Sequence, residues 1–190
     1  VEEMKYSIRP QEHELRQARQ TVESTVERVR HRLELEQLAV NLGASSTPDS
    51  ELYGAHGAAV GSGVLQLYFN PSAEDWQESL EELTFKTYGK AWFDENSELE
   101  NLNWVELLSE AFSVAFASRF NDRRTEVSKQ LAEEWSRIDQ SLQEEFSGDL
   151  SISWEIKWLL GEEMKERHGL ERFTELELED LREAGESLFR

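Results

Sequence analysis

Histidines are the first residues to consider as metal ligands or catalytic bases, and the chain has four: His13, His31, His56 and His168. No two of them have the spacing that places two imidazoles on one metal ion. His56 lies in a glycine-rich stretch and is the one histidine that we expect to line a site. The chain has no cysteine, which excludes thiolate metal sites, disulfide bonds and a cysteine nucleophile.

Paired glutamates are the next candidates for chemistry, because two carboxylates can share a cation. They occur as Glu81-Glu82, Glu133-Glu134, Glu144-Glu145 and Glu162-Glu163. Adjacent residues on a helix do not face one another. These pairs are therefore predicted to be solvated surface rather than carboxylate metal sites.

The middle third of the chain has a more specific pattern. A predicted strand ending in Leu67-Tyr68-Phe69 precedes one predicted helix that contains residues 83–91 and a second that contains residues 107–117. This order resembles a family of predicted zinc-dependent proteases, of the zincin-like kind. In that family a strand precedes a helix with His-Glu-Tyr-His-His, and the next helix has a Glu-Gly-x-Ala-x-x-Phe-like stretch. The resemblance covers residues 60–190.

The resemblance implies a metal site whose ligands are replaced in this chain. In the family, two histidines one helical turn apart bind Zn²⁺, a glutamate activates the bound water, and an acidic residue of the next helix is the third ligand. Lys86, Thr87 and Lys90 stand at the first histidine, the glutamate and the second histidine, and only Tyr88 and Glu110 match. A protonated lysine cannot bind zinc. The resemblance thus implies a zincin-like scaffold with no metal, no cofactor and no catalytic residue at this position.

Two of the six lysines occupy these positions, four residues apart on one helix face. We expect the ammonium groups of Lys86 and Lys90 to substitute for the charge of the metal and to pair with Glu110. The alternative is that both are ordinary surface lysines.

The elements that must position these residues are mostly helices. Apolar residues recur at three- and four-residue spacing in most segments, while residues 64–69 have the β-branched and aromatic content of a strand. The predicted fold class is α+β, mainly helical, with zincin-like helices and a small β-hairpin or sheet. One domain over residues 1–190 is expected, with a long N-terminal helix in 1–43, a small β region in 52–70 and the helical zincin-like part in 72–190.

Local signals predict the boundaries of three helices. Leu15, Ala18, Val22 and the apolar residues after them predict an amphipathic helix over residues 10–42. Ser72 is predicted to cap a helix that begins at residue 73, and Thr174 to cap the last helix.

Charge sets the expected environment. The chain has 40 Asp and Glu against 20 Lys and Arg, a formal net charge of -20, which disfavours binding to nucleic acids and anionic membranes. Six Trp and nine Phe argue for a packed core rather than disorder. Fourteen of the basic residues are Arg, and an excess of acids with few lysines is typical of halophilic proteins, although an ordinary acidic protein remains an alternative.

No apolar run of about 18 residues and no signal-peptide pattern occurs, so a cytoplasmic location is expected.

Three functions stay open at this point. The preferred one is a pseudoenzyme, a zincin-like domain that is retained for binding, structure or assembly with a protein partner, in an oligomeric state that the sequence does not define. The second is a hydrolase with an unrecognised site near His56, Tyr88 and Glu110. The third is a helical interaction protein that docks on its partner through residues 10–42.

Overall fold

A computed structural model describes residues 2–3, 11–32, 39–44, 55–60, 64–98, 101–117, 126–146 and 151–190. The chain divides into two compact units, residues 1–92 and 93–190. The division falls within the helix Trp76–Asn96.

A four-stranded mixed sheet organises the first unit. Its strands are β1 (Glu2–Glu3), β2 (Ala39–Ala44), β3 (Ala55–Val60) and β4 (Val64–Phe69). The strand order is β1-β2-β4-β3, with β2 parallel to both neighbours and β3 antiparallel to β4. Leu42 of β2 lies opposite Leu67 of β4, and both side chains are buried. The hairpin β3–β4 therefore joins a sheet that also contains a parallel β-α-β connection.

Two helices complete the described part of the first unit, α1 (Glu12–Arg32) and α2 (Trp76–Asn96). Ala18, Val22 and Val29 form the buried stripe of α1 at helical spacing. Arg28 of α1 pairs with Glu81 of α2, and its guanidinium lies 5.8 Å from the ring centroid of Phe85. A turn at Asn70 and an aromatic contact between Phe69 and Trp76, with centroids 4.9 Å apart, lead from β4 into α2.

The second unit is helical. It contains α3 (Asn103–Phe116), α4 (Lys129–Ser141), α5 (Trp154–His168), a 3₁₀ helix (Leu170–Glu175) and α6 (Leu178–Phe189). Most residues of α3 are buried, so this helix is the centre of the unit. Phe112 of α3 has its ring centroid 5.7 Å from that of Phe93 and 5.3 Å from that of Phe173.

The start of α3 and the end of α4 satisfy each other's backbone groups. Leu102, the residue before α3, provides no side-chain cap. Instead, the backbone N–H groups of Asn103 and Trp104 donate to the carbonyls of Glu144 and Leu142. In return, the Asn103 side chain donates to the Ser141 carbonyl at 3.0 Å. Two N–H groups at the start of α3 and one carbonyl at the end of α4 thus have partners from the other helix end.

The predicted fold class is confirmed, since the protein is a mainly helical α+β structure with a small sheet. Strand 64–69 and its antiparallel partner are also as predicted. The helix predicted over residues 10–42 is wrong in its last part, because α1 ends at Arg32 and residues 39–44 are β2. Val40 and Leu42 alternate with Asn41, a period of two that suits a strand paired with β4.

Two predicted caps are also wrong. The helix after Ser72 begins at Trp76, and the preceding residues form turns. Thr174 lies inside the 3₁₀ helix, and α6 is capped by Glu177, whose side chain accepts from the backbone of Asp180 in a reciprocal capping box. One domain over residues 1–190 stays a prediction. Among the described residues, no helix is long and apolar enough to cross a lipid bilayer.

Candidate functional site

The positions that the resemblance compares with the histidine motif, residues 86–90, lie on α2. Lys86 and Lys90 are one turn apart and both are half-buried. Thr87 is 8% exposed, and its hydroxyl donates to the Leu83 carbonyl at 2.7 Å. Tyr88 is fully buried. This stretch of α2 therefore has two buried residues, Thr87 and Tyr88, beside two half-buried lysines.

Helical geometry explains the behaviour of Thr87. A threonine hydroxyl inside a helix reaches the carbonyl one turn earlier, and Thr84 does the same with the Leu80 carbonyl at 2.7 Å. The Thr87 hydroxyl thus uses its proton in a hydrogen bond to the backbone. Threonine also has no carboxylate, so this position lacks the group that activates a zinc-bound water in zincins.

Glu110 lies on α3 in the second unit, and its carboxylate pairs with Lys157 of α5. The Lys157 Nζ atom is 2.5 Å from Glu110 Oε2, with side chains 22% and 29% exposed. Partial burial reduces solvent screening, so the attraction is stronger than in a fully exposed pair. The resemblance gives the Glu110 carboxylate the role of a metal ligand. In the structure this carboxylate is neutralised by the Lys157 side chain instead.

The close approach of α3 and α5 positions this ion pair. Gly161 lies one turn after Lys157 on α5 and contacts the backbone of Ala111, the residue after Glu110. A methyl carbon at Gly161 would lie 2.5 Å from the Ala111 carbonyl oxygen and 3.2 Å from Ala115 Cβ. Only glycine permits this approach, and it brings the side chains of Lys157 and Glu110 within reach of each other.

Lys157 is a site residue that the sequence analysis missed. The available signal was the pairing of small residues, Ala111 and Ala115 on one helix and Gly161 on another. Small residues on two helices indicate a close crossing, but they do not identify which helices cross. The expected pairing of Lys86 and Lys90 with Glu110 stays a prediction.

The histidines occupy four separate places in the chain. His56 lies in β3, opposite Tyr68 of β4 in the antiparallel register. His13 is exposed on α1, and His31 lies in the last turn of that helix. His168 is the last residue of α5 and is half-buried. Within the described ranges, no three His, Asp or Glu side chains are grouped to hold a metal ion.

Comparisons of this chain with protein-family models, with curated proteins and with solved structures give no match.

Proposed function

We propose that this protein is a catalytically inactive zincin-like domain with a binding or structural role. The observation that carries the proposal is the ion pair between Glu110 and Lys157, 2.5 Å apart. In a metal-binding relative, the acidic residue of this helix faces Zn²⁺. Here a protonated amine of the same chain supplies the positive charge.

The order of elements supports the same proposal. Strand β4 precedes α2, which has the motif positions, and α3 with Glu110 follows. The resemblance predicts this order of strand, motif helix and acidic helix. The side chains at the motif positions are two ammonium groups and a hydroxyl that is bonded to the backbone. None of these groups is a zinc ligand at neutral pH.

A halophilic setting is part of the proposal. The chain has 40 acidic against 20 basic residues, a formal net charge of -20. Self-repulsion of such a surface is screened as the ionic strength rises. The protein partner and the cytoplasmic location are likewise proposed from the sequence alone.

The helical interaction alternative is less favoured by the structure. Ala18, Val22 and Val29 of α1 are fully buried within the first unit. A helix that docks on an external partner would instead have an exposed apolar stripe. We therefore expect deletion of residues 11–32 to unfold the first unit rather than to abolish association alone.

Restoring the metal motif tests the proposal. In the variant Lys86→His, Thr87→Glu, Lys90→His and Lys157→Met, two imidazoles one turn apart return, and Glu110 is released from its cation. We expect this variant to bind one Zn²⁺ per chain in a calorimetric titration, whereas the unaltered protein purifies without stoichiometric zinc.

The matched control adds Glu110→Gln to the same four substitutions. If Glu110 is the third ligand, the affinity for Zn²⁺ falls at least tenfold, because two histidines remain. Equal affinities of the two variants would refute the assignment of Glu110 and with it the resemblance. Stoichiometric zinc in the unaltered protein, measured by elemental analysis, would refute the proposal that the site has lost its metal. Circular dichroism establishes that each variant is folded.

A further inference from the structure

Two tryptophans of α5 stack on each other outside the buried stripe of that helix. Trp154 and Trp158 lie one turn apart, with ring centroids 5.6 Å apart and an interplanar angle of 14°. Both are half-buried, so each keeps part of its surface in contact with solvent. The stripe of α5 that packs into the second unit consists of Ile156, Leu160 and Met164 instead. The indole pair is therefore an aromatic surface that a further molecule can reach.

A row of glutamates borders this aromatic surface along α5. Glu155, Glu162 and Glu166 are spaced by seven and four residues, which places them on one side of the helix, next to the tryptophans. In the part of the chain that the structure describes, none of these three carboxylates has an ion pair. Glu163 of the same helix, in contrast, pairs with Arg167 at 2.8 Å. The charge beside the indole pair is thus not neutralised by the described chain.

Glu162 has the clearest need for a partner among these glutamates. Its Oε1 atom is shielded from solvent and accepts no hydrogen bond. A carboxylate oxygen that has lost its water without gaining a donor costs free energy. The terminal torsion of glutamate is soft, so the carboxylate can turn toward an arriving donor. Since Glu162 follows Trp158 by one turn, that donor would lie beside the indole ring.

The combination of a flat aromatic surface and a carboxylate determines the kind of ligand. A guanidinium stacks on an aromatic face and donates two hydrogen bonds in its plane to a carboxylate. The net charge of -20 adds long-range attraction for a basic segment. A second copy of this chain has the same negative charge and is repelled, so the occupant is a different protein.

We propose that the face of α5 formed by Trp154, Trp158 and Glu162 binds an arginine side chain in a basic segment of a partner protein. The inference goes beyond the inactive metal site and does not depend on it, because this face contains neither residues 86–90 nor Glu110.

The test uses capped triarginine peptide as the probe and the full chain as the receptor. The six tryptophans give six indole N–H signals in ¹⁵N NMR, which single substitutions assign. We expect saturable shifts of the Trp154 and Trp158 signals, whereas the signal of Trp135, which is 2% exposed, stays in place. Capped trilysine has the same charge without a planar group, and we expect it to bind at least threefold more weakly.

Variants separate this site from general attraction to an acidic surface. Trp158→Leu removes the aromatic face without changing the charge and should weaken triarginine about fivefold. Glu162→Gln should weaken it about threefold, whereas Glu133→Gln, which removes an exposed carboxylate of α4, should leave it unchanged. Circular dichroism establishes that each variant is folded, and Trp154→Leu replaces Trp158→Leu if the latter does not fold.

Three results would overturn the proposal. Equal losses in Glu162→Gln and Glu133→Gln would show attraction to the whole surface. An undiminished affinity in a folded tryptophan variant would show that the indoles do not contact the probe. Equal affinities for triarginine and trilysine would exclude a site that selects the guanidinium.

Discussion

Replacing Gly161 by alanine tests the contact that brings α3 and α5 together. The added methyl carbon would lie 2.5 Å from the Ala111 carbonyl oxygen, where ordinary contact begins at 3.4 Å. The shortfall is roughly 0.9 Å, and the obstacle is backbone, which no rotamer change can move. The two helices must therefore separate if the variant is to fold.

The expected change in the free energy of unfolding of Gly161→Ala follows from two opposing effects. In a helix without this contact, Gly→Ala stabilises by about 1 kcal/mol, because alanine restricts the unfolded chain. Overpacking of a tight contact costs up to about 3 kcal/mol. The net prediction for Gly161→Ala is a loss of about 2 kcal/mol in the free energy of unfolding.

Urea denaturation, followed by far-ultraviolet circular dichroism, measures this loss. Ser136→Ala on the exposed face of α4 is the control and should shift the free energy of unfolding by less than about 0.5 kcal/mol. An increase in stability for Gly161→Ala would refute the close crossing of α3 and α5, since only the helix-propensity gain would then remain.

Three further predictions concern packing, the ion pair and the net charge. Gly185→Ala would place a methyl carbon 1.9 Å from the Trp135 ring, which is 2% exposed, so we expect a loss of about 3 kcal/mol in urea denaturation and an altered near-ultraviolet spectrum. Lys157→Met and Glu110→Gln, alone and together, should give a coupling energy of about 1 kcal/mol in a double-mutant cycle, whereas Arg172→Met in an exposed pair should cost nothing measurable. The thermal midpoint should rise by several degrees as NaCl increases from 0.1 to 2 M, because screening relieves repulsion at a net charge of -20.

Each of these has an outcome that contradicts it. An unchanged tryptophan spectrum in Gly185→Ala would show that the glycine does not face the ring. Additive effects of the Lys157 and Glu110 substitutions would show that the two side chains do not interact. A thermal midpoint that decreases as NaCl rises from 0.1 to 2 M would contradict the halophilic setting.

Local sequence signals are sufficient to predict the elements whose conformation is determined by their own residues. The spacing of Trp154, Trp158 and Leu159 is that of a helix, and these residues lie in α5, Trp154–His168. The strand over residues 64–69 was likewise predictable, because its residue types favour extended backbone.

Features that depend on distant partners were not predictable in this way. The segment 39–44 contains helix-compatible residues, and its strand conformation comes from the ladder with β4, about 25 residues later. The partner of Glu110 is 47 positions away on α5, and no local pattern identifies it. At the candidate site, the assignment of the α2 positions and of Glu110 stays a prediction, and the lysine that pairs with Glu110 could not be identified from the sequence.

The exchange of caps between α3 and α4 makes these two helix ends thermodynamically interdependent. If the end of α4 frays, the N–H groups of Asn103 and Trp104 lose their acceptors, and if α3 frays, the Ser141 carbonyl loses its donor. Hydrogen exchange at those two amides should therefore report the opening of α4 as well as of α3. The two helices would then exchange as one cooperative unit, although residues 117–128 separate them in the chain.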